Sequence, residues 1–215
     1  MKIDNNLCLL SIENFGKLIV LLHQRSETGM KIAVFCGSGR GVNPIYAEKA
    51  RQLGQLLVRQ GHDLVYGGGK TGLMGVIADS VLEAGGNVYG VMPVALTDKE
   101  IQHTGVTELF IVADMHQRKA KMAELADAFI AMPGGIGTLE EIFEIWTWGQ
   151  LGYHCKPCGF LNVDGYYDQL LSFISTVVEQ EFMRPEYAQM MQVSESEEVL
   201  VELLKRYQAP VQKWS

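Results

Sequence analysis

Two short stretches carry residue types that can do chemistry together. The first reads Phe129-Ile130-Ala131-Met132-Pro133-Gly134-Gly135-Ile136-Gly137-Thr138-Leu139-Glu140-Glu141. An apolar run ends in Pro-Gly-Gly, and a helix-like segment opens with Thr138 and two glutamates. Strand, glycine-rich turn and helix start together make an anion site. Glycines let backbone amides come close, and the unpaired amides of a first helical turn carry partial positive charge. A plain phosphate cradle would continue with lysine or more glycine. Carboxylates within one turn point instead to a phosphate-bearing substrate worked on by an acid or base beside its anchor. The plainer alternative is that Glu140 and Glu141 only complement the helix dipole.

The second stretch is Asp114-Met115-His116-Gln117-Arg118-Lys119. Asp114 is placed to cap a helix over which Met115, Arg118, Met122 and Leu125 share one face. An arginine inside an apolar stripe needs an anionic partner, because desolvating it alone is costly. That partner could be Asp114 at i−4, a bound anion or a catalytic carboxylate, or the guanidinium could snorkel to solvent. The helix start lies at a strand's carboxyl end, which favours the anion or the carboxylate.

Three tempting signatures fail. Gly67-Gly68-Gly69-Lys70-Thr71-Gly72 fits G-x-G-x-x-G after a strand, but the next strand, ending Val91-Met92-Pro93, carries no acid for a ribose. The same stretch lacks the first glycine of a phosphate-binding P-loop, because Leu64 stands there. No lysine is marked out for a Schiff base. Cys155-Lys156-Pro157-Cys158 is a lone C-x-x-C followed by an apolar run, so it reads as structural rather than metal-binding or redox-active.

Strand candidates at 31–36, 63–66, 87–91, 107–112, 128–132 and 157–162 are near-continuous apolar runs, as strands buried on both faces are. Helices are expected at 44–60, 73–84, 115–126, 138–150 and 167–181, and at 196–207 with Ser194 as its cap. Strands alternating with helices imply one doubly wound, Rossmann-like, mostly parallel α/β sheet with helices on both faces. Its ligand belongs at the carboxyl ends of the strands. The glycine clusters Gly37-Ser38-Gly39, Gly67-Gly68-Gly69 and Gly134-Gly135 fall there. In the helix after Gly137, Leu139, Ile142, Phe143 and Trp146 form one apolar stripe, with Glu141, Ile145 and Trp148 roughly opposite. A helix apolar on two sides is covered twice, so a homo-oligomer with sites near its interface is expected.

The 215 residues suit one such domain, read as 30–215 after an N-terminal extension of 1–29. That extension is interrupted by Glu13, Asn14 and Lys17 too often for a membrane span, and it lacks the pattern of a signal peptide. It is either a docking helix or an upstream start, with Met30 the initiator. A net charge of −7 argues against nucleic acid or an anionic membrane as partner. Four scattered cysteines suggest a reducing, cytoplasmic setting.

With these residues in view, the chain resembles the Lonely Guy family, the cytokinin riboside 5′-monophosphate phosphoribohydrolases formerly labelled lysine-decarboxylase-like. The likeness runs from about Lys31 to Leu204. It rests on Val34-Phe35-Cys36-Gly37-Ser38, Val65-Tyr66-Gly67-Gly68-Gly69 and Gly72-Leu73-Met74-Gly75. Met115-His116-Gln117-Arg118-Lys119, the P-G-G-x-G-T-x-x-E segment from Pro133 to Glu141, and Leu161-Asn162-Val163-Asp164-Gly165-Tyr166-Tyr167 complete it. The resemblance implies hydrolysis of the N-glycosidic bond of a nucleoside 5′-monophosphate, releasing base and ribose 5-phosphate, in a homodimer without metal or redox cofactor. It implies that Arg118 and Glu141 are catalytic. Substrate contacts are implied from Ser38, Glu100, Lys119, Gly134, Gly135, Ile136, Gly137, Thr138, Glu140 and Thr147. A carboxylate suits the positive charge that builds on the ribose, while Arg118 could orient Glu141 or bind the sugar phosphate. A general AMP or purine nucleotide nucleosidase, and a non-catalytic nucleotide- or cofactor-binding module, are the alternatives. Gly39 departs from the C-G-S-S turn often found in the family, and the leader has no counterpart there.

Overall fold

The computed structural model describes residues 29–97 and 102–210. Seven strands form one sheet in the order β4-β3-β2-β1-β5-β6-β7, and every neighbouring pair is parallel. In chain order they are β1 (Lys31–Phe35), β2 (Asp63–Tyr66), β3 (Val88–Pro93), β4 (Glu108–Val112), β5 (Ala128–Ala131), β6 (Cys158–Leu161) and β7 (Met191–Ser194). The helices are α1 (Ile45–Arg59), α2 (Gly72–Glu83), α3 (Val94–Thr97), α4 (Met115–Leu125), α5 (Ile136–Gln150), α6 (Asp168–Glu179), α7 (Pro185–Ala188) and α8 (Glu197–Arg206).

After the opening Lys31 of β1 and Asp63 of β2, the central strands are apolar and buried because both faces are covered. Along β1, Ile32 and Val34 face a core with Leu53, Leu57, Ile77, Leu200 and Leu204 from α1, α2 and α8. Ala33 and Phe35 face the opposite core, with Met122, Ile142, Trp146 and Tyr187 from α4, α5 and α7. Strand order runs one way from β1 to β4 and the other way from β5 to β7, so β1 and β5 flank the topological switch point. The crevice outside their carboxyl ends is where ligands bind in this architecture.

Three expectations are corrected. Ser194 does not cap the last helix: it ends β7, and Ser196 accepts the Val199 amide at 3.4 Å. Strand β7 went unforeseen because its four edge residues, alternating Met and Val with Gln and Ser, carry too little periodicity. The helix after the Pro-Gly-Gly turn starts at Ile136 rather than Thr138, so its first turn holds no acid. Glu140 and Glu141 therefore lie in the second turn, beyond the reach of the dipole effect that would have explained them blandly. Ile145 is also not opposite the stripe: it is buried with Ile142 and Trp146. The leader before Gly29, Cys8 included, and Glu100 lie outside the described residues.

Candidate active site

The site grows from three turns at the switch point. After β1, the Gly37 amide donates to the Pro133 carbonyl at 3.0 Å, which ties the two central turns together. Its own carbonyl accepts the Leu73 amide at 3.0 Å, so the start of α2 is joined to them. A Cβ on Gly134 would lie 2.1 Å from Thr138 Oγ1 and 2.9 Å from the Gly37 nitrogen, so only glycine lets these turns touch. Thr138 is buried beneath that contact. Two tyrosines hold the same turn from β6's side: Tyr167 donates to the Met132 carbonyl at 2.6 Å, and Tyr166 to the Gly134 carbonyl at 2.7 Å.

Above this floor α5 begins without a side-chain cap, Gly135 standing at the cap position in extended geometry. The amides of its first turn have no acceptor within the helix. A Cβ built on Gly135 or Gly137 meets nothing within 4 Å, so the approach to those amides is open. Ile136 between them is 81% exposed. Ser38 is exposed on the neighbouring turn, where its carbonyl would clash with any Cβ on Gly72.

Helix α4 supplies the cations. Asp114 caps it as expected, accepting the Gln117 amide at 2.8 Å. Arg118 is only 7% exposed. Its Nη2 donates to the Gly67 carbonyl at 3.2 Å, and Nη1 lies 3.8 Å from Glu141 Oε1. The partner left open by the sequence is thus a carboxylate across the crevice, not the Asp114 side chain. At 3.8 Å the contact is one of charges rather than an N–H···O bond. Arg118 Nε is buried and has no hydrogen-bond partner. An unsatisfied guanidinium donor costs about 1–3 kcal/mol, which an anion placed there would recover.

Lys119, at 8% exposure, turns to the second and third turns of α5, where Nζ donates to Glu140 Oε1 at 2.5 Å and lies 2.9 Å from Glu144 Oε2. Burial pulls its ammonium pKa down, but the contacts with Glu140 and Glu144 outweigh that and hold it above the ordinary lysine range. The Glu141 side chain is 12% exposed. Burial, helped by the negative charge of Glu141, pushes the Cys36 thiol well up, so it stays protonated beside the carboxylate.

The structure thus brings Arg118, Lys119, Glu140, Glu141 and the Gly134–Thr138 turn together. Thr147 stands apart: it is exposed, two turns further along α5, with its hydroxyl donating to the Phe143 carbonyl at 2.7 Å. Sequence reasoning missed Tyr166, Tyr167 and His103. His103 is buried; its Nδ1 accepts the Gly105 amide at 3.2 Å, so its Nε2 donates to Asp79 at 2.8 Å. Its own amide donates to the Gly68 carbonyl at 3.1 Å, next to the carbonyl that holds Arg118. The tyrosines stood in a quoted motif without a role, and nothing in spacing alone marked His103. Cys36 and Cys158 are buried free thiols, and burial pushes Cys158 up to about 12. Among the described residues no helix is long and apolar enough to cross a membrane.

Known proteins share this arrangement of motifs. The family described as possible lysine decarboxylase matches residues 74–204. A probable cytokinin riboside 5′-monophosphate phosphoribohydrolase of Oryza sativa subsp. japonica is 50% identical over 177 residues, 82% of this chain and 72% of that protein. A cytokinin riboside 5′-monophosphate phosphoribohydrolase of Arabidopsis thaliana is 51% identical over 178 residues, 83% of this chain and 82% of that one. The chain belongs to the Lonely Guy family. Solved structures with the same fold are more distant. A molybdenum cofactor carrier protein of Chlamydomonas reinhardtii superposes with a TM-score of 0.64 at 19% identity, over 83% of this chain and 97% of that one. A molybdenum cofactor binding protein from Rippkaea orientalis gives 0.63 at 24%, over 84% and 98%. These two likenesses speak to the fold alone. The Lonely Guy relatives, in contrast, are named for a reaction that an arginine–carboxylate pair beside an anion cradle can carry out.

Proposed function

We propose that this chain hydrolyses the N-glycosidic bond of N6-modified adenosine 5′-monophosphates, releasing the free base and ribose 5-phosphate. The observation that carries this reading is the buried Arg118–Glu141 pair facing an uncapped, glycine-flanked helix start. A 5′-phosphate is a dianion of the size such a helix start accepts, from the amides of Gly135 to Thr138 and the Thr138 hydroxyl. With the phosphate docked there, the ribose lies toward the second turn of α5 and Glu141. As the bond from C1′ to the base nitrogen breaks, positive charge develops on the ribose, and a carboxylate in a water-poor site stabilises it. Glu141 then takes a proton from the attacking water, whose oxygen bonds to C1′; the bonding pair leaves with the base nitrogen, and that same proton, passed on from Glu141, ends on it. Arg118 neutralises and orients Glu141 through Nη1, and its Nε takes the substrate oxygen it now lacks.

The same reading has the protein work as a cytoplasmic homodimer that needs no metal or cofactor. The dimer is supported by the second apolar side of α5: Trp148 is only half-buried, and Leu151 and Tyr153 beyond the helix are exposed. Analytical ultracentrifugation at micromolar concentration is expected to show the dimer, and a monomer alone refutes that part.

Incubation with N6-isopentenyl-AMP and, separately, AMP, with assay of free base and ribose 5-phosphate, tests the reaction. Turnover of the first well above the second is expected. Equal turnover of AMP makes the protein a general nucleotide nucleosidase, and binding without product makes it a binding module. Glu141→Gln and Arg118→Ala are each expected to lower kcat by at least about 10³-fold while the fold survives. Wild-type rates in either variant would falsify the assignment.

A further inference from the structure

Glu144 is assigned no role by the resemblance, yet it shares a buried lysine with Glu140. Its partner Lys119 is assigned substrate contact, yet the structure engages that lysine elsewhere. We infer that Lys119, Glu140 and Glu144 form a strut between α4 and α5 that sets the Arg118–Glu141 spacing, making Lys119 and Glu144 positioning residues rather than substrate ligands. The inference rests on the reaction proposed above.

Arg118 and Lys119 are consecutive on α4, and Glu140, Glu141 and Glu144 lie on facing turns of α5. Lys119 Nζ donates to Glu140 at 2.5 Å and stands 2.9 Å from Glu144 Oε2 as an ion pair, so one ammonium holds two carboxylates one helical turn apart. One contact would fix a point. Two carboxylates whose backbone attachments lie about 6 Å apart along α5 converge on one ammonium, which resists sliding of one helix against the other. Glu141 lies between the two anchored residues, and Arg118 lies next to the lysine. Their spacing, 3.8 Å, is therefore set by the strut.

Charge allocation points the same way. Three carboxylates on α5 face two cations from α4. With Lys119 drawing Glu140 and Glu144, Glu141 is the carboxylate left opposite Arg118. Without the lysine, Glu140 and Glu144 would compete for the guanidinium, and Arg118 would be drawn off Glu141. A buried lysine stays charged only when paired, and Lys119 pairs twice.

Steady-state kinetics on N6-isopentenyl-AMP, using the full chain, separates this from a substrate-binding role. Glu144→Gln, nearly isosteric, and Lys119→Met are each expected to lower kcat by about ten- to a hundredfold, the penalty of a small misplacement of reacting groups. KM should stay within about twofold, because the phosphate anchor on α5 is untouched. The double variant should be no worse than the poorer single one, since both remove the same strut. Lys119→Arg should recover much of the loss. If Glu144→Gln keeps wild-type kcat, or if the two losses multiply, the strut is refuted. If Lys119→Met instead raises KM with kcat intact, the lysine binds substrate. Should Lys119→Met fail to fold, Glu144→Gln and Lys119→Arg decide. An inactive wild-type protein refutes the reaction itself, a result no strut variant can mimic.

Discussion

Two glycine-rich turns of this chain look alike in sequence and do opposite work. Gly67-Gly68-Gly69 follows β2, and Gly134-Gly135 follows β5; both end a buried strand and precede a helix. The first is filled by the protein itself. A Cβ on Gly67 would land 2.0 Å from Arg118 Nη2, and one on Gly68, at φ +81°, would come within 3.1 Å of Leu109 and 3.3 Å of Met92. His103 and Gln102 then tie the same turn down, through the Gly68 carbonyl and an antiparallel bridge to Gly69. The second turn is packed only underneath, at Gly134, and opens upward at Gly135 and Gly137. One turn is a socket for a side chain, the other an entrance for a ligand. Glycine is required in the first for lack of room and in the second for access.

Gly67→Ala tests the socket most severely. The methyl group displaces the Arg118 guanidinium, so kcat is expected to fall by about 10²-fold, with a loss of roughly 1–3 kcal/mol in stability from overpacking. Gly134→Ala comes next. Its methyl would meet the Thr138 hydroxyl and the Gly37 nitrogen at once, so the turn must shift and the phosphate site with it. KM is expected to rise more than kcat falls, with a melting temperature lower by a few degrees for a loss of about 1 kcal/mol. A Gly67→Ala variant of normal kcat would show that Arg118 does not depend on that carbonyl for its place.

Mild acid provides a contrast that acts on neither turn. His62 is held below the ordinary histidine range, first by burial and then by Lys205, and its Nδ1 accepts the Met30 amide at 3.1 Å. His154 is lowered chiefly by burial too, and its Nδ1 accepts the Lys156 amide at 3.1 Å. Both rings fold neutral, so protons bind more tightly to the unfolded chain. The stability they contribute is complete above the ordinary histidine pKa and is lost as pH falls through their lowered folded values. Denaturant melts should show a midpoint that declines from neutral pH toward pH 5, more gently in a His62→Gln variant. The smallest expected effect sharpens the difference between the turns. Gly137→Ala has space and a helical backbone, so stability should rise by about 0.5 kcal/mol. The added methyl beside the open amides should nonetheless raise KM for the nucleotide. A lower KM would place the phosphate elsewhere.

Much of the molecule was legible in residue order. The strands at the centre of the sheet were visible because burial on both faces leaves uninterrupted apolar runs, as in Ala128–Ala131. The anion-binding turn was visible because glycines and a helix start are local in the chain. Asp114 was visible as a cap for the same reason. Edge strand β7 was not, since a half-exposed strand of four residues carries little pattern. The true cap, Ser196, stood two residues from the expected one.

Sequence alone determined the doubly wound architecture, the switch-point crevice and which residues could act there, because periodicity, turn chemistry and capping are properties of neighbours along the chain. It left the partner of Arg118 open among three candidates. Only the tertiary structure decided that Glu141 faces Arg118 while Glu140 and Glu144 go to Lys119. These residues lie more than twenty positions apart, and their pairing depends on how two helices roll against each other. It also decided which glycine turn is filled and which is open, since that depends on what stands opposite each turn in space.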